Sequence, residues 1–210
     1  MLTSNDIVLF QGDSITDAGR SRENTGPNTP ESLGRGYAML AAAALVDRHP
    51  GIRVFNRGIS GHKVFQLLGR WQADCIDLKP TVVSILIGVN DIWHKMNGQY
   101  DGTVEVYATD YEKLLTQTRA ALPEARIVLC EPFALRCGAV TDAWFPEFDE
   151  RRAHVPRLAK QFGATFIPFH AMFEQATKQA PAPHWAGDGV HPSLAGHHHM
   201  AAAWLAAVDR

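Results

Sequence analysis

No run in this chain approaches the roughly 20 apolar residues needed to cross a bilayer. The richest run, Thr81–Ile87, has the length of one strand. The amino-terminal stretch MLTSNDIVLFQGDS has neither a basic segment nor a long apolar one, so a secretory leader is not expected and a cytoplasmic location is. Charge of either sign is also scarce in net terms. Twenty Lys and Arg against 22 Asp and Glu leave a formal charge of -2, too little to draw in nucleic acid or an anionic membrane. Cysteine is sparse: Cys75, Cys130 and Cys137 are odd in number and match no zinc or thioredoxin spacing. Cys130 lies in an apolar run and is expected to be a small buried core residue. Internal repeats, low-complexity linkers and composition shifts are missing as well, which argues for one domain over 1–210. Its 210 residues, 46% hydrophobic and 20% charged, are enough for a sizeable core.

What is present is an alternation of strand-like and helix-like segments. Strands are expected at Ile7–Phe10, Ile52–Phe55, Thr81–Ile87, Arg126–Cys130 and Thr165–Phe169. Helices are expected at Tyr37–Arg48, Val64–Leu78, Val104–Leu122, Phe148–Phe162, His170–Lys178 and Pro192–Val208, several closed by Pro or Gly. Continuous apolar strands separated by helices imply a parallel sheet covered on both faces. Right-handed crossovers then give a three-layer α/β/α sandwich around a five-stranded sheet. Two irregular stretches, Thr16–Gly36 and Phe133–Pro146, are long enough to be expected to carry function.

Open parallel sheets bind ligands at the carboxyl ends of their strands. Just past the first three strands stand Gly12-Asp13-Ser14, Asn56-Arg57-Gly58 and Gly88-Val89-Asn90-Asp91. The turn before the last helix adds Asp188-Gly189-Val190-His191. Acyl transfer needs such groups. A serine hydroxyl is a weak nucleophile until a base takes its proton. His191 is suited to that role, and Asp188 can hold its Nδ1–H while Nε2 faces Ser14. The tetrahedral oxyanion needs donors: the Ser14 and Gly58 amides and the Asn90 carboxamide are the candidates.

Each motif alone is ordinary turn or cap chemistry; the argument is that all four fall at the expected junctions. Around them, Tyr37, Trp93 and Trp185 are candidate substrate contacts, with Trp144 also near the rim. Packing or an oligomer contact is the competing role for each. Asp17, Arg20 and Arg57 either hold the entrance loop or touch substrate, and Asp13 either orders the nucleophile turn or is solvated. His197-His198-His199 suggests a metal, but consecutive helical positions point about 100° apart and cannot share one ion. A set of His184, Asp188 and His191 matches no metal motif. No metal site and no cofactor are expected.

The four blocks QGDSIT, NRGISG, IGVND and DGVHP together resemble the SGNH hydrolases, also called GDSL esterases. The resemblance spans nearly the whole chain. It implies a flavodoxin-like sandwich and acyl-ester hydrolysis without metal or organic cofactor. It implies Ser14, Asp188 and His191 as a triad, and Ser14, Gly58 and Asn90 as the oxyanion hole. The stretches FQGDSITDAGR, LGRGYAML, NRGISGHKVFQLLGRW, VSILIGVNDIW and GVHPSLAGH are similar, more narrowly, to the intracellular acetylxylan esterases of that superfamily. That likeness implies O-deacetylation of acetylated xylooligosaccharides by a homo-oligomer, a dimer or a ring of dimers. Two alternatives stand beside it. One is a lysophospholipase or thioesterase preferring longer acyl chains; the other is a catalytically silent carbohydrate-binding protein on the same scaffold.

Overall fold

The computed structural model describes residues 1–209. Five strands, β1 (Ile7–Gly12), β2 (Arg53–Asn56), β3 (Val82–Leu86), β4 (Arg126–Cys130) and β5 (Thr165–Ile167), form one sheet in the order β2-β1-β3-β4-β5. All four pairings are parallel, as in the expected flavodoxin-like order. The main helices are α1 (Tyr37–Arg48), α2 (Val64–Gly69), α3 (Val89–Met96), α4 (Val104–Ala121), α5 (Phe145–Gln161), α6 (Phe169–Ala176) and α7 (Leu194–Val208).

The period-two alternation of strands sorts the core into two layers. Val8 and Phe10 of β1 face a cluster built with α1, α6 and α7; Leu9 faces a second cluster built with α2 and α4. Buried indoles are each given a partner for their N–H. Trp204 Nε1 donates to Ser84 Oγ at 2.9 Å, tying α7 to β3, and Trp71 Nε1 donates to Thr118 Oγ1 at 2.9 Å. Cys130 is fully buried, as expected.

Several elements depart from the sequence reading, three of them informatively. The expected helix Val64–Leu78 is three pieces: α2, the short turn Trp71–Asp74 and a 3₁₀ turn Ile76–Leu78. Arg70 sits at the break, where its guanidinium reaches Gln11 Oε1, Asp74 Oδ2 and the carbonyls of Arg57 and Gly12. Helix α3 was not expected, because Gly88 and Asn90-Asp91 resemble a loop; in fact Gly88 (φ 131°) turns the chain directly into it. The last helix begins at Leu194 rather than Pro192, since Ser193 is its cap: the hydroxyl accepts from the Gly196 amide at 3.2 Å.

Parallel order places the carboxyl ends of β1 and β3 side by side, with Gly12 opposite Leu86. The strand order reverses direction here, and ligands bind at such a point.

Candidate active site

The sharp turn after β1 is possible because residue 12 is glycine. Its φ is 158°, and a Cβ there would lie 2.2 Å from the Leu86 carbonyl oxygen. The chain then enters one helical turn, Ser14–Asp17, capped by Asp13, whose carboxylate accepts from the Ile15 amide at 3.0 Å. Asp13 is therefore a buried capping group rather than a solvated one, and burial pushes its pKa up to about 7. Ser14 stands first in that turn, and its amide has no hydrogen-bond partner among the described residues.

The other half of the site is the turn before α7. A bridge between Ala186 and Pro192 closes it, and Ser193 N donates to the Trp185 carbonyl at 2.7 Å. The segment 133–140 supports it from below: Leu135 N donates to Gly189 O and Ala139 N to Asp188 O. Gly138 presses so closely that a Cβ would lie 2.4 Å from Asp188 Cα. The second long irregular stretch thus holds the turn that carries Asp188 and His191.

The two halves meet. Ser14 Oγ lies 2.8 Å from His191 Nε2, and His191 Nδ1 lies 2.7 Å from Asp188 Oδ2. The Asp188 Oδ1 atom accepts from the amides of Val190 (2.9 Å) and His191 (2.7 Å). Burial acts to raise the Asp188 pKa, but the hydrogen bonds from the His191 ring and these amides outweigh it and hold it below its ordinary value. Asp188 therefore stays an anion and fixes the imidazole tautomer that leaves Nε2 to accept from the serine. The base is open to solvent, with 46% of the His191 side chain exposed.

Residues 10–199 match the GDSL-like lipase/acylhydrolase family. The chain belongs to that family, whose members hydrolyse carboxylic esters. An acetylxylan esterase of Geobacillus stearothermophilus is 36% identical over 209 residues, covering 96% of this chain and 93% of its own. Solved structures of that enzyme superpose with TM-scores of 0.87–0.89 at 33–35% identity, and one of them covers 99% of this chain and 96% of its own. They include variants of a serine, an aspartate and a histidine, each described as a catalytic mutant. A protein from Parabacteroides merdae assigned as a GDSL-like lipase is 47% identical with a TM-score of 0.96, covering 100% of this chain and 98% of its own.

In this GDSL hydrolase, the remaining expected site residues divide. Asn90, near the start of α3, is 5% exposed, and its Nδ2 donates to the His62 carbonyl at 3.2 Å, leaving its second N–H for a ligand. Trp93 packs its ring 5.6 Å from the His191 ring and 5.7 Å from that of Trp144, forming a wall of the site.

Three expected site residues are engaged in other contacts. The Gly58 amide is already spent: it donates to Asn56 Oδ1 at 2.9 Å within a buried loop, and a Cβ on Gly58 would lie 2.4 Å from the Asp17 amide nitrogen. Gly58 is a packing glycine, not a free donor. Tyr37 is fully buried at the start of α1, with its hydroxyl 3.2 Å from Thr16 Oγ1 and its ring against Phe10 and Phe169. Trp185 is 8% exposed, donates to the Ala180 carbonyl, and packs on His184 and His199.

Two residues that sequence reasoning passed over organise the loop after β2. Asn56 is buried, donates to the carbonyls of Thr16 (2.6 Å) and Leu33 (2.8 Å), and accepts from Gly58, so one carboxamide joins the nucleophile turn to the 58–62 loop. Gly61 is the second glycine of the NRGISG block. Its φ is 80°, and its amide has no partner among the described residues. It lies between Ser60, whose amide and hydroxyl both donate to Asp17 Oδ2, and His62, whose carbonyl takes Asn90. Arg20, expected either to brace the entrance loop or to touch substrate, braces it: its Nε donates to the Gly58 carbonyl at 2.8 Å. Asp17 does the same through Ser60 and Arg22. The Arg57 side chain stacks over the Phe55 ring at 5.7 Å.

Proposed function

We propose that this hydrolase removes O-acetyl groups from xylooligosaccharides or related sugars through an acetyl-serine intermediate. The observation that carries the reading is the continuous chain Ser14 Oγ–His191 Nε2–Asp188 at 2.8 and 2.7 Å, on the sheet edge where ligands bind. His191 takes the Ser14 proton as the hydroxyl attacks the acetyl carbonyl, and then protonates the departing sugar oxygen. It next activates a water that attacks the acyl-serine, releasing acetate and restoring the serine.

The oxyanion formed in both steps is held by the Ser14 amide and the Asn90 carboxamide, and by the Gly61 amide in place of Gly58. Each donor of this kind is worth roughly 2.7–4 kcal/mol in the transition state. No metal or cofactor takes part in this scheme.

The acetyl specificity is supported by the likeness to the Geobacillus acetylxylan esterase. The decisive experiment measures acetate release from a panel of acetylated oligosaccharides, alongside p-nitrophenyl esters of rising chain length. Fast turnover of acetyl esters and of acetylated xylooligosaccharides is expected. A preference for long acyl chains would instead favour a lysophospholipase or thioesterase. Assembly into a homo-oligomer belongs to the same proposal, on the strength of the sequence likeness, and light scattering after gel filtration tests it.

A further inference from the structure

An aromatic pair lies outside the triad. Phe65, in the first turn of α2, is 42% exposed, and its ring stacks on that of Tyr100 with centroids 5.6 Å apart and planes 17° from parallel. The exposed Phe65 ring, together with the ring stacked beside it, makes a candidate contact surface.

The pair is held rigidly. The Tyr100 ring lies against Gly102 so closely that a Cβ at 102 would meet it at 2.1 Å. The Gly102 carbonyl is in turn fixed by the buried Arg151 guanidinium at 2.6 Å. Lys63 Nζ sits 5.6 Å from the Phe65 centroid and 5.3 Å from that of Tyr100. A cavity of about 410 Å³ opens beside the pair, bounded by Val106, Thr103 and the carboxylates of Asp101 and Asp110.

The patch is continuous with the site. Lys63 Nζ lies 3.0 Å from His94 Nδ1, and a Cβ at Gly61, on the loop proposed to hold the oxyanion, would lie 3.8 Å from His94 Cε1. His94 itself directly follows Trp93, the wall beside His191.

We infer that the Phe65–Tyr100 platform and its cavity form a distal saccharide subsite, binding a pyranose unit of the oligosaccharide whose acetyl group sits at Ser14. The inference rests on the proposed sugar-esterase function. A pyranose ring offers an apolar C–H face to aromatic carbons and hydroxyls around its rim. The exposed Phe65 ring matches the first; the Asp101 carboxylate supplies an acceptor for the second, beside Asp110, which also pairs with Lys113, and Thr103, whose hydroxyl also caps the following helix. The exposed Phe65 ring beside the Asp101 carboxylate favours a neutral sugar over an acyl chain, which would use the ring and leave the carboxylate idle.

Two measurements test it on the full-length protein with Phe65→Ala and Tyr100→Leu, neither of which touches the reacting groups. The first compares kcat/KM for p-nitrophenyl acetate with that for acetylated xylotetraose. A loss of roughly tenfold on the oligosaccharide, with the small ester unchanged, is expected for one lost stacking contact. Equal effects on both substrates, or none, overturn the subsite. The second follows binding of unacetylated xylotetraose by calorimetry, which needs no turnover. Binding by the wild type that weakens in both variants supports the subsite. No binding, or binding that the variants leave unchanged, overturns it, as does a change in oligomeric state without a change in saccharide binding. Failure of the wild type to release acetate from any oligosaccharide would overturn the esterase reading, while the calorimetry still judges the platform.

Discussion

Ser14 and His191 are separated by 177 positions, yet Ser14 Oγ and His191 Nε2 are 2.8 Å apart. In the proposed mechanism, replacing either removes the proton transfer rather than a binding contact. Ser14→Ala and His191→Ala are each expected to lower kcat by at least ~10⁴-fold with stability little changed, measured as acetate release per folded protein. Asp188→Asn should cost about 10⁴-fold as well, because an amide that donates to Nδ1 selects the wrong tautomer. Asn90→Ala tests the oxyanion donors and is expected to reduce kcat by roughly 10²–10³-fold, with KM nearly unchanged. The two glycines of the NRGISG block part company at this scale. Gly58→Ala forces a Cβ against the Asp17 backbone, so its loss should appear in thermal melting before it appears in turnover. A stable Gly58→Ala protein with a purely catalytic defect would return Gly58 to the oxyanion hole.

At the scale of elements, the loop after β2 is held by side chains rather than by its own backbone. Asn56→Ala removes three buried hydrogen bonds, at about 1 kcal/mol each. A loss of about 3 kcal/mol should lower Tm by roughly 6–12 °C in a chain of this size, measurable by calorimetry. Those same contacts explain what the sequence could and could not convey. Strands and long helices were legible because apolar period and Gly or Pro stops are local signals. The rim was legible because Ser14, Asn90, Asp188 and His191 each follow such a stop. The broken helix at Arg70 was not, because its cause is a guanidinium reaching β1 across 58 positions. Nor could spacing separate Gly58 from Gly61, since the difference is which amide Asn56 captures. Aromatics near the rim in sequence divided into wall (Trp93) and core (Tyr37, Trp185) according to helix face, which composition does not report.

For the molecule as a whole, two of the buried carboxyl groups bear on stability against pH. Asp13 and Asp91 are both nearly inaccessible, and burial raises each from 3.8 to about 7. Each binds its proton more tightly in the folded state than in the unfolded chain. Their contribution to stability is therefore full below about pH 4 and declines as pH rises toward 7. Asp91→Asn should flatten that decline, read as Tm against pH between 4 and 8; an unchanged slope would show that Asp91 stays ionised in the fold. The central claim, however, is the joining of distant segments into one nucleophile and base, and covalent trapping tests it most directly. After reaction with a fluorophosphonate, intact-mass and peptide mapping should find a single adduct on Ser14, absent in Ser14→Ala and formed far more slowly in His191→Ala. An adduct at another residue, or equal labelling of the Ser14→Ala protein, would contradict the account.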